Sequence, residues 1–193
     1  MATPESRLLW HHPLLSVEER TLASGVKRLV VQRGEFAAVS IALYTDEGEE
    51  AFLIVSQERP VAPDPFYEHP AGMIDPNETP IQAALRELAE ETGWLLSQDD
   101  LTLLTPQGVY PSPAFWGEIG YFFAARLKVP TAVLQAYLSS PDRPGADEHL
   151  TLHAVQGDRL LHLTRNLQTI AHTLLYYAYF RPSDRELPSL SHQ

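Results

Sequence analysis

The apolar residues of this chain change period several times along its length. Residues 36–45 and 51–57 are nearly continuous runs of small, aliphatic and β-branched residues, which is the composition of strands buried on both faces. Asp46-Glu47-Gly48-Glu49 separates the two runs as a turn, so they predict a hairpin. Ahead of it, residues 6–33 read as short strands. The clearest are 14–17 and 26–31, parted by Ala23-Ser24-Gly25. Residues 60–80 carry many prolines and turn residues and read as a loop.

Helical spacing begins at Pro80, whose missing N–H costs nothing in the first turn. Thr79 is placed to cap the helix, and Gly93 to end it. Ile81, Ala84, Leu85 and Leu88 form its apolar stripe. Beyond it the pattern predicts a strand over 101–109, a loop over 110–117, a strand over 119–127 and a short helix over 130–138. A polar loop over 139–147 and a strand over 150–155 follow. Residues 166–180 have helical period, with Leu167, Ile170, Leu174, Leu175 and Ala178 on one face. Strands predominate without regular strand–helix alternation, so the expected class is α+β, with mixed sheets and helices packed on them.

Composition narrows the function classes. The 193 residues carry a net charge of −11, which argues against non-specific binding to nucleic acid, since that needs a basic surface. Such a balance repels an anionic substrate unless a metal ion supplies positive charge. There are no cysteines, so disulfides and thiolate metal sites are excluded. No apolar run reaches bilayer length. The first residues, MATPESRLLWHHP, lack the layout of a signal peptide, and a cytoplasmic location without membrane contact is the expectation. The eight histidines show no metal-type spacing; His69 is the one nearest the candidate chemistry.

That chemistry lies on the helix after Pro80. Glu87, Glu90 and Glu91 share one face, and Arg86 can reach Glu90 one turn on. Three carboxylates so close repel one another, and a hard divalent cation such as Mg²⁺ would relieve the repulsion. A solvated acidic face is the other reading that periodicity allows.

The full spacing decides between them. Gly72, Glu78, Arg86, Glu87, Leu88, Glu90, Glu91, Gly93 and Trp94 match Gly-x5-Glu-x7-Arg-Glu-U-x-Glu-Glu-x-Gly-U, where U is a bulky apolar residue. This is the Nudix box, and the chain resembles the Nudix hydrolases. The resemblance implies an α/β/α sandwich with the box as loop–helix–loop. It also implies metal-dependent hydrolysis of the pyrophosphate bond in a nucleoside diphosphate linked to a further group. By position, Glu87, Glu90, Glu91 and the Ala71 carbonyl would hold Mg²⁺ or Mn²⁺. Arg86 would orient the glutamates, Glu78 would support the loop, and Gly72 and Gly93 would serve the turns.

The flanks are similar to the ADP-ribose pyrophosphatase branch. The run from Glu68 through Pro70, Ala71, Gly72, Ile74 and Asp75 matches its Glu-x-Pro-Ala-Gly-x-Ile-Asp segment. Ser112-Pro113-Ala114 followed by Glu118 resembles its Ser-Pro-Gly loop ending in glutamate. Asn77 stands where a glycine is common, and asparagine also tolerates a left-handed turn. The branch implies ADP-ribose as substrate, with AMP and ribose 5-phosphate as products. Arg59, Glu68, Pro113 and Glu118 are the expected substrate contacts, with Phe66, Tyr67, Phe115 and Trp116 available for stacking or simple packing. Glu148, with Asp147 second, is expected as metal ligand or general base, against the alternative of an exposed turn.

The implied organisation is an N-terminal β subdomain over 1–35 that contacts a second copy in a homodimer, a hydrolase domain over 36–181, and a flexible tail over 182–193. Two rival functions stay open. One is hydrolysis of another substrate, such as a sugar nucleotide or dinucleoside polyphosphate. The other is a non-catalytic nucleotide-binding module.

Overall fold

The computed structural model describes residues 5–139, 143–145 and 149–180. Asp147, Glu148 and the tail over 182–193 lie outside the described residues. In chain order the elements are β1 (Glu5–His12), β2 (Leu15–Thr21), β3 (Lys27–Gln32), β4 (Glu35–Tyr44), β5 (Glu50–Arg59), β6 (Ala62–Glu68), β7 (Ala71–Met73) and α1 (Pro80–Thr92). There follow β8 (Thr102–Leu103), β9 (Ile119–Lys128), α2 (Thr131–Ser139), β10 (Arg143–Pro144), β11 (Thr151–Val155), α3 (Gly157–Leu163) and α4 (Leu167–Phe180).

The main sheet runs β10-β11-β5-β4-β9-β8, with β6 added to β5 and β7 to β4. Its centre is the pair β4 and β9, parallel from Glu35↔Ile119 to Tyr44↔Lys128. Both faces of β4 are buried, which explains its unbroken apolar sequence. Ala37, Val39, Ile41 and Leu43 pack under Ala83, Ala84 and Leu88 of α1 and Leu134 of α2. On the opposite face, Ala42, Phe52 and Ile54 pack against Leu160 of α3 and Tyr176 and Tyr177 of α4. Each fully buried aliphatic or aromatic side chain stabilises this arrangement by roughly 1.5–3 kcal/mol. The result is the mixed-sheet α/β/α sandwich expected from the sequence. Among the described residues no helix is long and apolar enough to cross a membrane.

A splay in this sheet makes room for a site. β4 and β5 pair over Ile41–Tyr44 and Glu50–Leu53 and then part. Beyond that point β4 takes β7 as its partner, Phe36↔Met73 to Ala38↔Ala71. β5 takes β6, Val55↔Glu68 to Arg59↔Ala62. The first three strands form a separate antiparallel sheet in the order β1-β2-β3, with β1 exposed along its whole length.

Several sequence expectations are corrected here. Residues 60–80 are not one loop, because β6 and β7 lie within them. Pro63 and Pro65 fall where the β5–β6 register shifts, a place where a strand tolerates missing donors. The strand expected over 101–109 shrinks to β8 and a single bridge from Val109 to Gly120. α3 was not anticipated; seven residues starting at a glycine give little periodic signal.

The α4 helix is present, but it buries a different face from the aliphatic stripe. Leu167 and Leu174 are exposed, whereas Thr169, His172, Thr173, Tyr176 and Tyr177 are buried. The surface they meet is polar at points. His172 Nε2 donates to the Phe123 carbonyl at 2.7 Å, Thr173 Oγ1 bonds His69 at 2.9 Å, and Tyr176 donates to Glu50 at 2.7 Å. A helix matched to those groups must turn its hydroxyl and imidazole side inward.

Candidate functional site

The helix that carries the acidic cluster is held at both ends as its sequence requires. Thr79 is extended at the cap, and its backbone N–H donates to the Gln82 side chain at 2.9 Å. Gly93 adopts the left-handed conformation that stops the helix, with φ 75°. In the loop before it, Asn77 has φ 71°, so the asparagine stands in a true left-handed turn.

Arg86 organises this loop and helix. Its Nε and Nη2 bond both carboxylate oxygens of Glu78 at 3.0 and 2.9 Å, and Nη2 also donates to the Met73 carbonyl at 2.9 Å. Its Nη1 donates to Glu87 at 2.6 Å and to Glu90 at 3.1 Å. Glu78 in turn accepts from the Asp75 N–H at 3.0 Å. These bonds hold the Arg86 guanidinium charged, above its ordinary pKa.

The acids separate into two groups. Glu90 stays at the rim, with its side chain 58% exposed. Glu87 and Glu91 are drawn inward beneath β7. The Glu91 carboxylate accepts from the Ala71 N–H at 3.1 Å. A Cβ at position 72 would overlap the Glu87 carboxylate, so the Gly72 backbone is the surface against which that acid rests. Burial pushes the Glu91 carboxyl up to about 8, and the neighbouring charges of Glu87 and Glu68 add to the effect. Burial also raises Glu87, against the pull of Arg86.

A cleft of about 790 Å³ opens beside this pair, in the splay between β4 and β5. Its lining brings together Arg59, Glu68, His69, Ala71, Gly72, Phe66, Trp116 and Glu118. Of the other residues expected from the sequence, Tyr67 packs on His153, and Phe115 is an exposed partner of Trp116. Neither these two nor Pro113 is part of the lining.

Glu68 is buried and fully engaged. It accepts from Arg59, from Gln57 Nε2 at 3.2 Å and from Asn166 Nδ2 at 2.6 Å. Asn166 also caps α4 by accepting from the Gln168 N–H at 2.8 Å. His69 and His172 meet edge to face at the inner end of the cleft, with ring centroids 4.6 Å apart. Burial holds both neutral, His172 at about 4. Arg33, Asn166 and His172 join the cleft without having been singled out from the sequence. They lie outside the box and are brought in by sheet topology and by α4, which leaves no local signal.

Glu87 and Glu91 fit a cation. Two carboxylates lie together at a half-dry floor, and burial pushes one of them up to about 8 even with Arg59 near. Among the described residues no three His, Cys, Asp or Glu side chains converge on one point, so a complete shell draws on other groups as well. A cation on the floor with arginines along the wall suits a ligand of high negative charge.

Comparison with known proteins agrees with this geometry. The model of the NUDIX domain matches residues 34–162. The chain is 38% identical over 113 residues to the ADP-ribose pyrophosphatase of Bacillus subtilis (strain 168), covering 58% of this chain and 57% of that protein. It is 41% identical over 70 residues to the ADP-sugar pyrophosphatase of Mus musculus, covering 35% of this chain and 32% of that protein. The aligned part thus spans about half or less of the curated relatives it matches. A solved structure described as an ADP compounds hydrolase superposes with a TM-score of 0.62 at 19% identity, over 93% of this chain and 95% of that one; at that identity the likeness concerns the fold. The domain match embraces the whole loop–helix–loop from Gly72 to Gly93 and the sheet that frames it, and the chain belongs to the Nudix family.

Proposed function

We propose that this chain hydrolyses the pyrophosphate bond of a nucleoside diphosphate linked to a second group, with ADP-ribose as its substrate and AMP and ribose 5-phosphate as products. The observation that carries the reading is the pair Glu87 and Glu91 seated under Ala71 and Gly72 beside the arginine-lined cleft. The names of the two curated relatives, an ADP-ribose and an ADP-sugar pyrophosphatase, support the substrate class.

In this reading Mg²⁺ or Mn²⁺ would be held by Glu87, Glu90, Glu91 and the Ala71 carbonyl, with Glu148 as a further ligand or as the base. A divalent cation there supplies positive charge against the diphosphate and acidity to the attacking water. Arg86 keeps Glu87 and Glu90 oriented. Arg59 gives its Nε and Nη2 donors to Glu68, which would leave Nη1 for a phosphate oxygen. Glu148 would take the proton of the attacking water.

The chain acts as a homodimer in the same reading. The support is the β1–β3 sheet, which exposes Leu8, Leu9, Trp10 and Leu29, a concentration of apolar surface that suits a second copy. A monomeric mass in light scattering at micromolar concentration would remove this part.

The test of the activity is product identification. ADP-ribose, GDP-mannose, NADH and dinucleoside polyphosphates are incubated with the protein, with and without Mg²⁺ or Mn²⁺, and separated by chromatography. Metal-dependent release of AMP and ribose 5-phosphate from ADP-ribose is expected. Absence of hydrolysis with either metal overturns the reading, and cleavage of another member alone moves the substrate.

A further inference from the structure

The cleft contains two charged pairs built on one plan. In each, a glutamate is almost wholly buried and its arginine is nearly half exposed. Glu68, 8% exposed at its side chain, holds Arg59 at 39%. Glu118, at 5%, holds Arg33 at 46%. Topology explains why they share a cleft. β5 runs antiparallel to β4 and β9 parallel to it. Arg33 before β4, Arg59 at the end of β5 and Glu118 before β9 therefore meet at one end of the sheet.

The Arg33 pair is fixed at both its root and its head. Val31 donates to the Phe115 carbonyl at 2.8 Å, and Gly117 donates to the Val31 carbonyl at 2.8 Å. Any side chain at Gly117 would overlap Gln32, so the two segments approach closely for the length of this contact. The Glu118 carboxylate then accepts from Arg33 Nη1 at 3.0 Å and from the Trp116 indole at 3.1 Å. Arg33 Nε and Nη2 have no partner among the described residues, and the side chain lines the cleft. In a chain of net charge −11, an anion is drawn to a site by such discrete, pre-oriented donors.

We propose that Arg33 is a second anion contact of the cleft, acting with Arg59 on the diphosphate, and that Glu118 is a positioning residue that holds Arg33 while Trp116 steers the carboxylate. This rests on the reading that the cleft takes a diphosphate. It also makes the junction of the small sheet part of the substrate site, not only a connection. A simple staple between β3 and the loop before β9 would affect stability and leave anion affinity untouched.

The experiment is calorimetric titration of inorganic pyrophosphate into the full chain in EDTA, for wild type, Arg33→Met, Arg33→Lys, Glu118→Gln and the double variant Arg33→Met/Glu118→Gln, beside thermal unfolding of each. Arg33→Met is expected to weaken binding roughly ten- to a hundredfold, and Arg33→Lys by less. Glu118→Gln weakens it too, yet adds little once Arg33 is gone. With ADP-ribose and Mg²⁺, Arg33→Met raises KM more than it lowers kcat.

Unchanged pyrophosphate affinity in Arg33→Met overturns the proposal, as does an effect confined to Glu118→Gln, which means that the carboxylate acts on the cleft without Arg33. If Arg33→Met does not fold, Arg33→Lys decides, and wild-type affinity there overturns the proposal. A wild-type protein that binds no pyrophosphate also overturns it, while the hydrolytic reading is judged separately by its products. Arg33-dependent binding without hydrolysis of any substrate sustains the proposal and removes that reading.

Discussion

The Glu87 carboxylate lies in the space that a side chain at Gly72 would occupy. Two positions of the box that look independent in the sequence are therefore one contact in space. Gly72 has no left-handed backbone to protect, so Gly72→Ala is tolerated by the chain and felt by the acid. The expected outcome is a loss of kcat of at least about a hundredfold, if Glu87 holds metal as proposed, with a stability cost of roughly 1–3 kcal/mol from overpacking. Steady-state kinetics beside a thermal melt measure both. Wild-type kcat would remove Glu87 from the reaction.

Removal of metal should be visible without any substrate. Glu91 is a buried acid beside Glu87, so a divalent cation that binds the folded floor stabilises the fold by mass action. At about a hundred times its dissociation constant the gain is roughly 2.7 kcal/mol, or about 5–10 °C in Tm for a chain of this size. Glu91→Gln keeps an acceptor for the Ala71 N–H but loses the charge. It should melt in EDTA at or above the wild-type temperature and lose the response to Mg²⁺ or Mn²⁺. An undiminished metal response in that variant argues against Glu91 as ligand.

His172 gives a pH dependence with a definite sign. Burial depresses its pKa from 6.5 to about 4, so between those values the unfolded chain binds the extra proton and the folded one does not. Stability from this group is complete above pH 6.5 and is lost as pH falls toward 4, by up to about 3 kcal/mol. His69, also depressed by burial, acts in the same direction. Glu91 acts oppositely, because its raised pKa makes the folded state the better proton binder between 4.5 and about 8. The test is therefore the difference between wild type and His172→Gln in denaturant titrations at pH 7.5, 6 and 5. The stability gap should narrow as pH falls, and a constant gap would contradict the assignment.

Glu148→Gln is expected to lower kcat by roughly a hundred- to ten-thousandfold, the usual contribution of a general base, while circular dichroism and the melting temperature stay at wild-type values. Near-normal turnover would place the base elsewhere. In that event Asp147→Asn is the next variant to measure.

The box and the central strands were legible because their information is local. Thr79, Pro80 and Gly93 mark the ends of α1, and an unbroken apolar run betrays β4 as doubly buried. The grouping of Glu87 with Glu91, and the rim position of Glu90, were not legible. They follow from where β7 passes over the helix and from how Arg86 divides its donors. Arg33 carries no periodic signal at all, since its role depends on a loop 85 residues away. The α4 face was misjudged for a related reason. Hydrophobicity ranks Leu167 and Leu174 as inner residues, but the partners in the core are a histidine, a backbone carbonyl and a carboxylate.

The separations along the chain have a consequence for how the molecule comes into being. All the box residues lie between positions 72 and 94, and the hydrogen bonds that order Arg86 and the glutamates stay within residues 71–91, although the apolar face of the helix shares its core with Leu134, Leu150 and Leu152. The cleft beside it draws on the C-terminal third for polar contacts as well. Glu68 meets Asn166 across 98 residues, and His69 meets Thr173 across 104. A chain emerging from the ribosome therefore exposes every residue of the acidic helix well before the wall that closes the cleft beside it. Nascent chains truncated before α4 would carry every box glutamate and still lack one wall of the cleft beside them.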